Sequence, residues 1–399
     1  MLRRTLLTAL PAAIALSPLV AKAQAAAPRS KITDVRLVPL KVQRELGGME
    51  PAWAPGSRMN FRIGGGSYLE IVSDQGAIGY GSAADAASVP RLKELLVGKD
   101  PFDVERLYGP IRLASGANSR TVGAVEIALW DLVGKLSNQP VYKLWGAEKD
   151  KVPAYASLIQ LSTAEERARQ AAKLKADGWK GMKLRLHNET LKEDIALATA
   201  VRKAVGDDFT LMVDCNQAQQ ATGWQPGVHW EFQRAVDTAR ALQELGYYWI
   251  EEPLTRYDWK NLADLNRLVE IPVAGGENNP LVNEFVGMVE AGVYDILQPE
   301  VLVTDGVTGT RRVGELARMH NKRCVPHHGG MTFGTIAHLH MTCTWSHSPW
   351  LEVLHDPPIG PYTAGFAIFE NPPLLDKDGC FNAPQGPGFG VSINRSMLA

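Results

Sequence analysis

The sequence predicts an α/β barrel preceded by a small α+β domain. Three observations carry this. From about residue 152 onward, eight short apolar runs alternate with amphipathic helical stretches. Before that point, strand patterns come first and helical patterns follow. Third, carboxylates end three consecutive runs, at Asp214, Glu251 and Glu277, where a barrel gathers its strand ends at one mouth.

Residues 1–30 lie outside the predicted fold. Arg3-Arg4 precede an apolar run from Leu6 to Val20 that contains Pro11 and Pro18. Ala21-Lys22-Ala23 or Ala23-Gln24-Ala25 then offers a small-residue cleavage site. This is the pattern of a signal peptide, and the run falls short of the ~20 apolar residues of a membrane span. The arginine pair favours the twin-arginine route over Sec. The expectation is an exported, periplasmic protein whose mature form has no membrane span.

Residues 31–150 form the first predicted domain. Ile32–Leu40 alternates as a strand, and Ser67–Val72, the Asp74-Gln75-Gly76 turn and Ala77–Gly81 form a hairpin. Val104–Leu113 and Val122–Leu136 carry helical spacing. Arg44–Ala54 and Gly56–Gly66 are expected to be loops. Gly64-Gly65-Gly66 precedes a strand rather than a helix, so it is not the phosphate turn that a doubly wound open sheet needs. Residues 151–365 form the barrel. Its strands are expected at Val152–Leu158, Met182–Leu186, Thr210–Val213, Tyr248–Ile250, Pro272–Ala274, Ile296–Gln298, Arg323–Pro326 and Trp350–Val353. Helices are expected between them, as at Thr163–Ala176, Leu191–Val205 and Glu231–Leu245. Residues 366–399 are expected to return to the first domain.

Composition excludes several classes. The chain has 42 basic and 43 acidic residues, a net charge of −1, and no basic stretch, so nucleic acid is not an expected partner. Cys215, Cys324, Cys343 and Cys380 form no C-x-x-C pair, which argues against zinc and against a disulfide framework. A solute-binding protein without turnover would need two similar lobes, and the pattern shows one barrel. Three converging carboxylates repel unless a cation sits among them. All-oxygen ligands select Mg²⁺, with Mn²⁺ as the alternative.

Met212-Val213-Asp214-Cys215-Asn216-Gln217, Trp249-Ile250-Glu251-Glu252-Pro253-Leu254 and Gly276-Glu277-Asn278 resemble the metal-ligand motifs of the mandelate racemase subgroup of the enolase superfamily. Ala124–Asp131 resembles the last helix of that family's capping domain, and Asp305–Gly309 the segment after its sixth strand. The motifs fall in order, one per strand, over nearly the whole mature chain. The resemblance implies a modified (β/α)7β barrel under an N-terminal α+β cap. It also implies a substrate carboxylate on one Mg²⁺ bound by Asp214, Glu251 and Glu277, abstraction of the neighbouring proton, and a homo-oligomer. By position His327 is the general base and Glu300 its orienting carboxylate, where the family more often has Asp. Glu352 resembles the glutamate that hydrogen-bonds the substrate carboxylate, a task that asks it to carry or share a proton. His328 would point away along the strand.

Lys183-Leu184-Arg185-Leu186-His187 places three polar side chains on one strand face. The family's racemases carry Lys-x-Lys here, the second lysine being the base on the other face. Arg185 stays protonated and is a poor base. Lys183 keeps the carboxylate-binding role. Arg185 binds a hydroxyl or carboxylate, and His187 and Asn216 join the substrate-binding set. In the two expected loops Arg44 and Arg58 lead the residues that would read the distal substrate. One dedicated base predicts a dehydratase that converts an aldonate or aldarate to a 2-keto-3-deoxy acid. The alternative is a racemase or epimerase of a 2-hydroxy acid with Lys183 as second base.

Overall fold

A computed structural model describes residues 30–218 and 226–399. The signal-like segment, Ser30 excepted, lies outside the described residues. Strand β1 (Ile32–Pro39) pairs antiparallel with β4 (Ser67–Ser73), which pairs with β5 (Ile78–Gly81). Helices α1 (Val89–Leu96), α2 (Val104–Ala114) and α3 (Ser119–Leu136) cover one face of this sheet. Ile32, Val35, Leu69 and Ile71 pack there against Leu92, Ile111, Val125 and Leu129, all buried. Burial of each such side chain is worth about 1.5–3 kcal/mol. Helix α3 lies close on β5: a Cβ on Gly81 would stand 2.1 Å from the Ala124 carbonyl oxygen. That contact demands glycine.

The two expected loops are mostly strand. Val42–Met49 (β2) and Met59–Gly64 (β3) form an antiparallel hairpin, leaving only residues 50–58 as its connection. Register shifts between Val42 and Arg44 and between Glu45 and Gly47 break the period-two pattern, which hides β2 from a pattern search. Gly64-Gly65-Gly66 is a tight turn of three left-handed glycines between β3 and β4.

The barrel follows the predicted order. Strands β6 (Lys151–Ser157), β7 (Gly181–Arg185), β8 (Thr210–Asp214), β9 (Ile250–Glu251), β10 (Val273–Gly275), β11 (Ile296–Leu297) and β12 (Arg323–Cys324) run parallel in sequence. Strand β13 (Leu351–Leu354) pairs parallel with β6. A single backbone bond, Cys324 N–H to the His347 carbonyl at 3.3 Å, links the β12 and β13 sides. Among the described residues seven helices connect the eight strands: α5 (Ala164–Ala176), α6 (Leu191–Val205), α7 (Phe232–Glu244), α8 (Trp259–Leu268), α9 (Val282–Ala291), α10 (Gly306–Met319) and α11 (Phe333–Thr342). Four-residue α4 (Val141–Leu144) leads into β6, and five-residue α12 (Tyr362–Phe366) follows β13. The fold is thus a (β/α)7β barrel with an α+β cap. Thr190 and Glu193 form a capping box on α6. In the tail, β14 (Cys380–Asn382) pairs antiparallel with β6, and Leu398 then bridges Leu40 of the cap. All four cysteines are buried and free. Among the described residues no helix is long and apolar enough to cross a membrane.

Cap and barrel meet at the start of α10. Glu126 of α3 is fully buried and accepts from the Thr308 backbone N–H (2.9 Å) and hydroxyl (2.5 Å). Its carboxyl satisfies an otherwise orphaned donor in the first turn of α10 and faces the positive end of that helix. Arg112 donates to Asp305 at 3.0 Å beside it.

Burial raises the Glu126 carboxyl to about 7, against the two Thr308 hydrogen bonds. The unfolded chain loses this proton near its ordinary value of 4.5 and the folded chain near 7. The group's contribution to stability is therefore full below pH 4.5 and is lost as pH rises through about 7. Denaturation midpoints of Glu126→Gln, which has no proton to lose, are expected to fall less across that window than those of the wild type. Glu126→Ala is expected to lose about 1–3 kcal/mol by leaving the Thr308 N–H unsatisfied. Equal pH slopes in wild type and Glu126→Gln would contradict the assignment.

Candidate active site

Parallel pairing sets the first part of the site. Asp214 and Glu251 stand side by side at the ends of β8 and β9. Glu277 lies two residues beyond β10, swung inward after Gly276, whose φ is +117°. Oxygens of the three carboxylates lie within 4.8 Å of one another. Asp214 and Glu251 are fully buried.

Strand β7 supplies two cations to this cluster. Lys183 Nζ lies 2.5 Å from Glu251 Oε1, 2.9 Å from Glu352 Oε1 and 3.7 Å from Asp214 Oδ2. Arg185, opposite Asp214 in register, is ion-paired with it. It also donates to the Leu158 carbonyl (2.7 Å), Asn216 Oδ1 (3.2 Å) and Ser157 Oγ (3.3 Å). Its guanidinium lies 5.0 Å from the ring centre of Trp53. Burial works against both charges. For Lys183 the carboxylates of Glu251, Glu352 and Asp214 outweigh it, and for Arg185 chiefly Asp214 does. Both pKa values are raised, so both groups stay protonated.

Glu252 belongs to the site although strand alternation would turn it outward. Its φ of +45° directs the side chain inward, and Asn278 donates to it at 3.2 Å. Burial, then the Glu277 and Asp214 charges, push it well above the ordinary carboxylate range. Burial likewise lifts Glu251 to about 8 against the pull of Lys183, and raises Glu277 against that of His327. Asp214, Glu251, Glu252, Glu277, Glu300 and Glu352 thus share the mouth, and among the described residues the permanent cations ion-paired with them are Lys183 and Arg185. The cluster is short of positive charge, and its donors are all oxygen. A hard divalent cation fits it.

His327 stands past the end of β12. Its Nδ1 is 2.9 Å from Glu300 Oε2 and its Nε2 3.1 Å from Glu277 Oε2. The extra methylene of Glu300, compared with Asp, still leaves this contact in hydrogen-bond range. Glu300 Oε2 also accepts from the Gly329 N–H (2.9 Å) and Oε1 from the Leu302 N–H (3.1 Å). Burial opposes the Glu300 charge, but His338 and the bond to His327 bring the carboxyl down to about 2. Burial opposes protonation of His327, while Glu277 and Glu300 raise it to about 9.

Four expected placements change. His328 is not turned away: β12 ends at Cys324, so strand alternation no longer applies, and its ring lies 4.0 Å from that of His327 in the cavity wall. Glu352 is fully buried on β13 and holds the Lys183 ion pair and a 2.9 Å hydrogen bond from Tyr155. Burial works to raise its pKa, but Lys183 and the two histidines hold it well below the usual range. His187 Nδ1 lies 2.9 Å from the Ala52 carbonyl oxygen and holds the 50–58 connection of the cap. Arg44 and Arg58 are exposed and do not line the cavity. On β3 the alternation puts Met59 and Phe61 inward, and Arg58, Asn60 and Arg62 outward.

The cavity holds about 350 Å³ and is lined by Trp53, Arg185, Asn216, Glu277 and His327, among others. Arg120 also lines it. It sits in the first turn of α3, just ahead of Val122, where the apolar pattern begins. Gln298 escaped the sequence reading as well. It donates to Glu251 at 2.8 Å, alongside Trp249 Nε1 at 3.0 Å.

An α/β barrel with acidic groups and a His–Glu pair at its mouth, closed by an α+β cap, defines a class of metal-assisted enzymes that handle protons next to carboxylates. Residues 68–146 match the family described as mandelate racemase / muconate lactonizing enzyme, N-terminal domain. Residues 166–397 match the family described as enolase C-terminal domain-like. The chain belongs to the enolase superfamily, in its mandelate racemase subgroup. It is 30% identical over 304 residues to an L-talarate/galactarate dehydratase of Salmonella typhimurium, covering 74% of this chain and 70% of that protein. It is 31% identical over 329 residues to a 3,6-anhydro-alpha-L-galactonate cycloisomerase of Streptomyces coelicolor, covering 80% and 84%. Its structure matches that of D-glucarate dehydratase from Agrobacterium tumefaciens complexed with magnesium, at a TM-score of 0.77 and 28% identity, covering 92% and 97%.

A ligand that binds only the folded protein raises its melting temperature. Mg²⁺ is expected to raise that of the wild type above its value in EDTA. Glu277→Gln removes one charge from a repelling cluster, so in EDTA it is expected to melt no lower than wild type and to gain little from Mg²⁺. An equal Mg²⁺ response in both proteins would place the cation elsewhere.

Proposed function

We propose that this enzyme is a Mg²⁺-dependent acid-sugar dehydratase, with Mn²⁺ as an alternative ion, acting on an aldonate or aldarate to give a 2-keto-3-deoxy acid. The dehydratases among its relatives make it a hydro-lyase; its own substrate is the proposed part. Asp214, Glu251 and Glu277 would hold the ion. Bound there, it would supply positive charge to the substrate carboxylate as the neighbouring C–H bond breaks.

His327 takes the α-proton at Nε2, the nitrogen on the Glu277 side, while Glu300 holds Nδ1 and the ring orientation. The electron pair of the broken C–H bond forms a carbon–carbon double bond as the β-hydroxyl departs. The same Nε2 returns its proton to that hydroxyl, which leaves as water. The enol then becomes the 2-keto acid. Arg185 and Asn216, both in the cavity wall, position hydroxyls or the carboxylate, and Trp53 closes the roof.

One observation carries this reading against a racemase. Inversion needs a base on the opposite face, and where a second lysine would serve, β7 carries Arg185, a guanidinium paired with Asp214 that is a poor proton acceptor. Lys183 is moreover fully buried in contact with Glu251 and Glu352. The proposal includes export to the periplasm, from the Arg3-Arg4 and Leu6–Val20 pattern, and assembly as a homo-oligomer. Mass spectrometry of periplasmic material is expected to find a mature N-terminus near Gln24 or Ala26; an intact Met1 on cytoplasmic enzyme would refute export.

Screening acid sugars with Mg²⁺ for 2-keto products tests the substrate class. On the substrate found, His327→Asn is expected to lose at least ~10²–10⁴-fold in turnover and Glu300→Gln less. Recovered substrate from D₂O is expected to keep its configuration. Ready inversion would reinstate Lys183 as a second base. Arg185→Lys is expected to slow dehydration, because a lysine cannot reproduce the four-partner fork.

A further inference from the structure

A second cavity, of about 570 Å³, opens between cap and barrel on the outer side of α3 and α10. Its apolar wall includes Phe102, Val133 and Leu144, with Phe102 50% and Leu144 40% exposed. Its polar wall holds Asp103, Glu105, Arg106, Ser137 and, on α10, Arg311. That guanidinium lies 4.9 Å from the ring centre of Trp145 and 5.7 Å from that of Trp130, which cross edge to face at 5.2 Å. The neighbouring charges are already matched: Arg106 pairs with Asp103, and Arg312 with Glu105. Of the charged residues lining this cavity, Arg311 is the one with no hydrogen bond or ion pair among the described residues. Half-buried charges are ordinarily paired. The two tryptophan rings beside the guanidinium restrict its movement, so less freedom is lost when its N–H fork meets a planar anion.

We propose that this cavity binds an organic carboxylate with an apolar body. The carboxylate takes the N–H fork of Arg311, and the body lies against Phe102, Val133 and Leu144. Such a ligand bridges the cap through Trp130 and the barrel through Arg311. It therefore clamps the same two helices that Glu126 and Thr308 join, well away from His327. The site does not depend on which acid sugar the enzyme dehydrates.

Phenylacetate serves as the probe, titrated by calorimetry into the full chain in EDTA, where no metal draws carboxylates to the barrel mouth. Saturable binding is expected with wild type and equally with His327→Asn. Arg311→Gln is expected to bind at least about tenfold more weakly, having lost one charge-assisted pair. Leu144→Asp, at an exposed position, is expected to weaken binding with little change in melting temperature. Absence of saturable binding, or binding untouched by Arg311→Gln, overturns the proposal. So does binding lost in His327→Asn, which would place the probe in the catalytic cavity. Self-association that Arg311→Gln and Leu144→Asp abolish would also overturn it, since a second copy of the chain would then cover this face.

Discussion

Everything at the barrel mouth answers to mutual repulsion among carboxylates in a buried space. Asp214, Glu251 and Glu277 converge because parallel strands must end on one side of a barrel. Burial makes each charge more costly, and proximity makes it worse. Lys183 and Arg185 relieve part of the excess, and the rest is what a divalent ion can neutralise. The same economy accounts for Gln298 and Trp249, neutral donors that orient Glu251 without adding charge. It also accounts for Glu352, a second carboxylate within reach of the Lys183 ammonium.

Two of the joints between cap and barrel differ in character. At α10 the joint is a buried carboxylate on a helix start, geometrically strict and shielded from solvent. At the mouth the connection 50–58 is held by the Ala52 carbonyl on His187 and by the Ala52 N–H on the Ile159 carbonyl, beside Met49 and Phe61 packed on Ile159 and Leu354. Trp53 sits in that connection and stacks on Arg185. The residue that closes the cavity is thus tied to the cation that orders Asp214 and Asn216, so roof and floor form one packed unit.

The charge state of β7 also separates chemistries within one fold. A lysine in place of Arg185 can lose its proton when neighbours press its pKa down, whereas a guanidinium surrounded by Asp214, Asn216, Leu158 and Ser157 cannot. The opposite face therefore offers hydrogen bonds and positive charge but no proton acceptor. His327 is left to act at both ends of the elimination, and Glu300, fixed by the Gly329 and Leu302 N–H groups, keeps its ring in place.

Position in the family that the sequence resembles pointed to the His327–Glu300 pair; by itself the sequence determined the barrel, its strand order and the three strand-end carboxylates. These depend on local apolar periodicity and on the rule that parallel strands share a functional end, both readable along the chain. Tertiary structure decided what alternation could not. Bulges in β2 concealed a hairpin, and on it Arg44, like Arg58 just ahead of β3, faces solvent. A left-handed residue brought Glu252 inward, and the early end of β12 left His328 in the cavity wall. His187 became a fastener for the cap because its partner, Ala52, lies 135 residues away. A contact set by chain separation of that order is fixed by how the two domains pack, and no pattern within either segment encodes it.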